Sequence, residues 1–276
     1  MIKDIVVSLS VVEDDDCAGE FAISVAAALD SYLTGVAFVY DPIIPVAAVA
    51  YMSPEVIDAQ QRDSEHAAKT ALDRFSAAAA RAGIRADAAK LPANYAGAGE
   101  QFGQIARRFD LAIVGQAEPG KDAVEEQIAE STLFESGRPV ILVPYIQKAP
   151  LKLDRVMVCW DGSRAATRAI ADAMPLLEHA GRVEVVIVAN DPGKQDEIPG
   201  ADMGQHLARH GLKVEVTRFP TGGIDVADAL LSHAADSDSD FIVMGGYGHS
   251  RLREFVLGGV TRSILRSMTA PVLMSH

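Results

Sequence analysis

Five glycines fall close together near the end of the chain: Gly245, Gly246, Gly248, Gly258 and Gly259, in GGYGHSRLREFVLGGV. Glycine weakens regular structure, so such a group marks turns at positive φ or a backbone that something approaches closely. The residues ahead of it, DFIVMG, read as a buried parallel strand. The residues behind it, VTRSILRSMTAP, put Val260, Ile264, Leu265 and Met268 on one helical stripe. A strand, a glycine-rich loop and a helix start present unpaired N–H groups, which is chemistry for holding an anion, phosphate above all. A tight loop packed on its neighbours has the same pattern. His249 lies inside the loop, with no acid or serine beside it in sequence to make it catalytic.

Ligands of open parallel sheets sit beyond the carboxyl ends of the strands, near the switch in strand order. Three such ends are legible. Trp160-Asp161-Gly162-Ser163 offers Asp161 as an acceptor for a ribose hydroxyl or an adenine amine, and Ser163 as a helix N-cap. Capping alone accounts for both residues equally well. Ala189-Asn190-Asp191 offers backbone groups to a base edge, and Met244-Gly245 leads into the glycine loop.

The elements behind these ends repeat. DIVVSLS (4–10) matches RVMVCWD (155–161) as a first strand. The alanine-rich helices AGEFAISVAAALDSYL and SRAATRAIADAMPLLEHAG follow. GVAFVYDP and VEVVIVANDP are second strands ending in Asp-Pro. DLAIVGQ matches DFIVMGG, and RPVILVP matches APVLMSH. Strands alternating with helices imply right-handed βαβ units in a mainly parallel sheet. The expectation is two tandem α/β domains, 1–147 and 152–276, each doubly wound (Rossmann-like) around a five-stranded sheet. The last strands of the halves are edges suited to pairing with each other. The first half inserts an apolar loop, IIPVAAVAYMSPEV, then a long helix to about Ala82.

Composition bounds the rest. Net charge is −13, which argues against general nucleic-acid binding. Residues 1–150 carry 22 acids against 12 Lys and Arg; the remainder carries 16 against 13. After Asp240 the only acid is Glu254, facing Arg251, Arg253, Arg262 and Arg266, a locally basic island suited to an anionic small molecule. Two cysteines, no run of ~20 apolar residues and a short apolar opening that runs into EDDD lead to the expectation of a cytoplasmic protein without a membrane span.

The spacing G-x₂-G-x₉-G (Gly245, Gly248, Gly258), paired with a first strand ending Asp161-Gly162-Ser163 and followed by REFVLGGVTRSIL…APVL, resembles the universal stress protein family. The resemblance runs over nearly the whole chain, as a tandem two-domain member. It implies an adenine nucleotide, ATP or AMP, with or without Mg²⁺, in a stress-response protein. The nucleotide's phosphates would lie against Gly245, Gly246, Gly248, His249, Gly258, Gly259, Val260 and Thr261, and its nucleoside against Asp161, Ser163, Ala189 and Met244. The family's Ser or Thr after the third glycine is Gly259 here, which removes a hydroxyl donor worth about 1.5–3 kcal/mol to a charged group. Thr261, one helical turn from Gly258, either compensates in part or faces its own helix. The family also implies a homodimer, or an intramolecular pseudo-dimer in a tandem chain.

The first half departs from that pattern. Its strand ends Ser8-Leu9-Ser10, and Glu125 and Glu126 stand where the late glycines would fall. It is read as having kept the fold and lost the nucleotide. A slow ATP phosphohydrolase using His249 or Asp161, and a nucleotide-free interaction scaffold, are the two alternative functions. Other motifs are weaker. Gly115-QAEP-Gly120-Lys121-Asp122 has Asp where a phosphate-binding loop needs Ser or Thr. Asp202, His206 and His210 recur every four residues without a further evident metal ligand.

Overall fold

The computed structural model describes residues 1–11, 16–42, 53–120, 124–189, 201–246 and 259–276. The apolar insertion 43–52, Asn190-Asp191, Lys121, Asp122, Gly248, His249 and Gly258 lie outside them. The first half runs β1 (Asp4–Ser8), α1 (Cys17–Leu29), β2 (Tyr32–Tyr40), α2 (Pro54–Ala82), β3 (Ala86–Ala93), α3 (Ala98–Ala106), β4 (Leu111–Gly115), α4 (Val124–Glu135) and β5 (Val140–Val143). The second runs β6 (Arg155–Cys159), α5 (Arg164–Leu177), β7 (Arg182–Ala189), α6 (Ala201–Arg209), β8 (Val214–Pro220), α7 (Val226–Asp236), β9 (Phe241–Gly245), α8 (Val260–Ser267) and β10 (Val272–Ser275).

Local chemistry sets the boundaries. The Asp16 carboxylate accepts from Gly19 N and starts α1; Asp30, at φ 48°, stops it. The chain then turns at once into the sheet, with the Ser31 hydroxyl on Ile2 O and Tyr32 N on Lys3 O. The helix read through Leu33 is therefore three turns and a half, and the second strand begins earlier, at Tyr32. Helix α2 begins on Pro54 and ends at Gly83, at φ 69°.

All ten strands form one sheet in the order β3-β2-β1-β4-β5-β10-β9-β6-β7-β8. Instead of two separate five-stranded sheets, the halves share a seam. Their last strands pair antiparallel, Val272 with Leu142, Leu273 with Ile141 and Met274 with Val140. Every other pairing is parallel. Each half reads 3-2-1-4-5 from its outer edge to the seam. One face buries α1, α2, α5 and α6 through residues such as Phe21, Phe75, Ile170 and Leu207. The other buries α3, α4, α7 and α8 through Phe102, Leu133, Leu230 and Ile264. Strands covered on both faces are continuous apolar runs, as parallel packing requires.

Candidate functional site

In the second half β6 pairs with β7 on one side and β9 on the other. The helices that follow lie on opposite faces, α5 on one and α8 on the other. A crevice opens at such a reversal of strand order. Its β6 side is a rigid turn. Trp160 N extends the ladder to Val186 O, and Gly162 takes φ 76°. Asp161, exposed, accepts from Ser163 N at 2.9 Å, while Ser163 Oγ accepts from Ala166 N at 3.0 Å and caps α5. Ser163 thus gives one lone pair to the helix and keeps its O–H as a donor. Beside them burial, reinforced by Asp161, pushes the Cys159 thiol up to about 12, so it stays protonated and serves as a small apolar group.

The β9 side explains two of the glycines by packing. A Cβ on Gly245 would lie 2.5 Å from Ala166 N and 2.7 Å from Ala165 C, so the first turn of α5 rests directly on that backbone. A Cβ on Gly246 would lie 2.8 Å from Leu133 Cδ2, a side chain of α4 in the other half. Gly246 N already donates to Ser275 O, and Gly246 O meets His276 Nδ1 at 3.1 Å. The Gly246 amide is thus already engaged within the sheet.

Gly259 is the N-cap of α8, with φ −52° and ψ 158°. Its carbonyl takes the N–H groups of Arg262 and Ser263. The amides of Val260 and Thr261 precede that first intrahelical bond and lie at the positive end of the helix. The Thr261 side chain is buried and Val260 half-buried. Met244 is buried under the same helix, and Ala189 closes β7 opposite Pro220. So Asp161, Ser163, Ala189, Met244, Gly245 and Gly246 line three neighbouring strand ends, and Gly259, Val260 and Thr261 form the helix start that the glycine segment returns to.

The basic island is partly neutralised. Glu126, from the first half, has its Oε1 4.0 Å from Arg262 Nε and 3.7 Å from a terminal nitrogen of Arg266. Sequence reading placed Glu126 only as a repulsive group in its own half; the contact across the seam was invisible without the pairing of β5 and β10.

The matching place in the first half is small and acidic. It encloses about 70 Å³ among Ser8, Ser10, Asp16, Gln116, Glu118 and Glu125, against the ~300 Å³ at which small-molecule pockets begin. Burial pushes the Asp16 carboxyl up to about 6, against the pull of Gly19 N–H and Arg74. The first turn of α4 carries Glu125 and Glu126, where α8 carries no acid. A wider hollow of about 390 Å³ adjoins it, again lined by acids, Asp41, Asp63 and Glu125. The rings of His206, on α6, and His210, just past its end, stand 4.8 Å apart. No group of three metal-ligating side chains occurs among the described residues, and none of their helices is long and apolar enough to cross a membrane.

The strand order defines an α/β protein whose second half reverses direction of winding at β6, between β7 and β9. Residues 152–276 match the family model described as the universal stress protein family. The universal stress protein Slr1230 of Synechocystis sp. is 28% identical over 171 residues, 60% of this chain and 57% of that protein, so the match spans little more than half of its relative. A universal stress protein from Archaeoglobus fulgidus DSM 4304 superposes with a TM-score of 0.72 at 16% identity, covering 99% of this chain and 96% of that one. A functionally unknown protein from Pseudomonas aeruginosa PAO1 does so at 0.65 and 13%, covering 99% and 92%. These two likenesses carry the fold over the whole length. The likeness to the universal stress protein family is thus carried in sequence by residues 152–276, and in fold by the whole chain.

Proposed function

We propose that the second half binds an adenine nucleotide, ATP or AMP, as the ligand of a stress-response protein, and that the first half is a degenerate copy that binds none. One observation carries the reading. β9 ends at Gly245 next to β6, which leads into Asp161, and α8 starts at Val260, with G-x₂-G-x₉-G joining the two in sequence. Main-chain N–H groups at the helix start then face the phosphates, and Asp161 has a second carboxylate oxygen for the nucleoside. In the first half, Glu125 and Glu126 occupy the equivalent helix start with negative charge of the chain's own.

Titration of the full chain with ATP and AMP tests this. The reading expects saturable binding by at least one of them, and stabilisation of about 2.7 kcal/mol at a hundredfold excess over Kd. Asp161→Ala is expected to weaken it about tenfold, the loss of one hydrogen bond to a charged acceptor, while α5 keeps its Ser163 cap. A second reading, a scaffold without nucleotide, is favoured by the packing of Gly245 and Gly246, which explains both glycines with no ligand. Absence of binding by either nucleotide decides for the scaffold.

A further inference from the structure

The two halves cross the seam at equivalent positions in different ways. Gly115 and Val143 form the last rung between β4 and β5, as Gly245 and Ser275 do between β9 and β10. Gln116 therefore stands where the second half has Gly246. Counted back from the last strands, Leu133 stands where it has Leu265. In one crossing Leu133 fills the space that Gly246 leaves. In the other, Gln116 puts a side chain there: its Nε2 donates to Leu265 O at 3.0 Å and its Oε1 accepts from Tyr145 N at 3.3 Å. Gln116 is buried. Glu126 completes the contact through Arg262 and Arg266.

We propose that the first half is a clamp on α8, with Gln116 and Glu126 as positioning residues that set how tightly the second half takes an anionic ligand. The proposal rests on the nucleotide reading of that half. Leu265 O lies in the last turn of α8, among the carbonyls that a helix leaves without an internal partner, and the Gln116 amide supplies one. A held helix keeps its first-turn amides in place, so a ligand need not order them. Glu126 acts in the opposite sense. Its charge competes with an anion for Arg262, in the first turn, and for Arg266 one turn on.

Opposite signs from two side chains of one surface are a signature that general destabilisation does not produce. In the full chain, Glu126→Gln is expected to tighten ATP about threefold at low ionic strength, the scale of a partly exposed ion pair. The gain should vanish at high salt, and neutral adenosine should bind as before. Gln116→Met, which keeps the volume, is expected to weaken ATP about threefold and to speed hydrogen exchange of the α8 amides without ligand. Glu126→Gln leaving ATP affinity unchanged or lower, or Gln116→Met leaving α8 exchange at the wild-type rate, overturns the clamp. A wild-type chain that binds neither ligand overturns the nucleotide reading instead. Exchange then judges the clamp alone, faster in the Gln116 variant supporting it and equal rates overturning it.

Discussion

Gly245 and Gly246 are adjacent and of one type, yet they face different obstacles. A methyl group on Gly245 meets backbone atoms of α5, while one on Gly246 meets the end of the Leu133 side chain. Gly245→Ala is expected to cost about 2–3 kcal/mol and Gly246→Ala about 1 kcal/mol or less, because a leucine can change rotamer and a helix turn cannot. Chemical denaturation of the two variants measures the difference. Ligand loss on substituting Gly245 would then report the fold as much as the site, so Asp161 and Gly248 are the better probes.

Asp16 gives a residue-scale prediction with a definite sign. Its carboxyl sits at about 6 in the folded chain against an ordinary 3.8. Folding therefore favours its protonated form: the contribution is complete below pH ~4 and is lost as pH rises through ~6. Asn keeps an acceptor for Gly19 N and carries no charge to bury. Asp16→Asn is expected to gain on the order of 2 kcal/mol over wild type between pH 4 and 7, from a shift of roughly two pK units. Urea titrations at those pH values read it. An equal difference at both would contradict the burial argument.

At the scale of elements, α7 is fixed to the sheet by a buried acid. Glu184 on β7 takes Thr217 Oγ1 at 2.7 Å and His233 Nε2 at 2.9 Å, with Arg155 at 3.6 Å. Burial pushes its pKa up, but these partners outweigh that and hold it below the ordinary carboxylate value. The stability it supplies is present above the unfolded value near 4.5 and is lost as pH falls below it. Glu184→Gln is expected to cost about 2 kcal/mol at pH 7 and progressively less as pH falls below 4.5, by denaturant titration.

The central strands were legible for a physical reason. Burial on both faces makes DIVVS, VILV, RVMVC and FIVMG continuous apolar runs. The edge strands β3, ADAAKLPA, and β8, VEVTRFP, are half-exposed and mixed in composition, and escaped notice. So did Glu184, which reads as one acid in a hydrophobic strand until Thr217 and His233 arrive from elsewhere in the chain. Of the site, the strand ends and the helix start were readable from local pattern. That Gly245 and Gly246 face helices α5 and α4, and that Glu126 meets Arg262, depended on contacts between distant segments.

For the whole molecule, the seam is the governing feature. Val140, Ile141, Leu142, Val272, Leu273 and Met274 are fully buried, so neither last strand keeps an open edge. Unfolding one half would expose the other's edge and apolar face together. Calorimetry is expected to give one transition with equal calorimetric and van't Hoff enthalpies; two resolved transitions would show the halves to be energetically separate.

An adenine nucleotide in the second half would be released by acid from the purified chain and identified by mass spectrometry, beside a Gly248→Glu variant. An adenine nucleotide is expected from the native chain and none from the variant. A native chain that releases no nucleotide, and whose melting temperature neither ATP nor AMP raises, would contradict it.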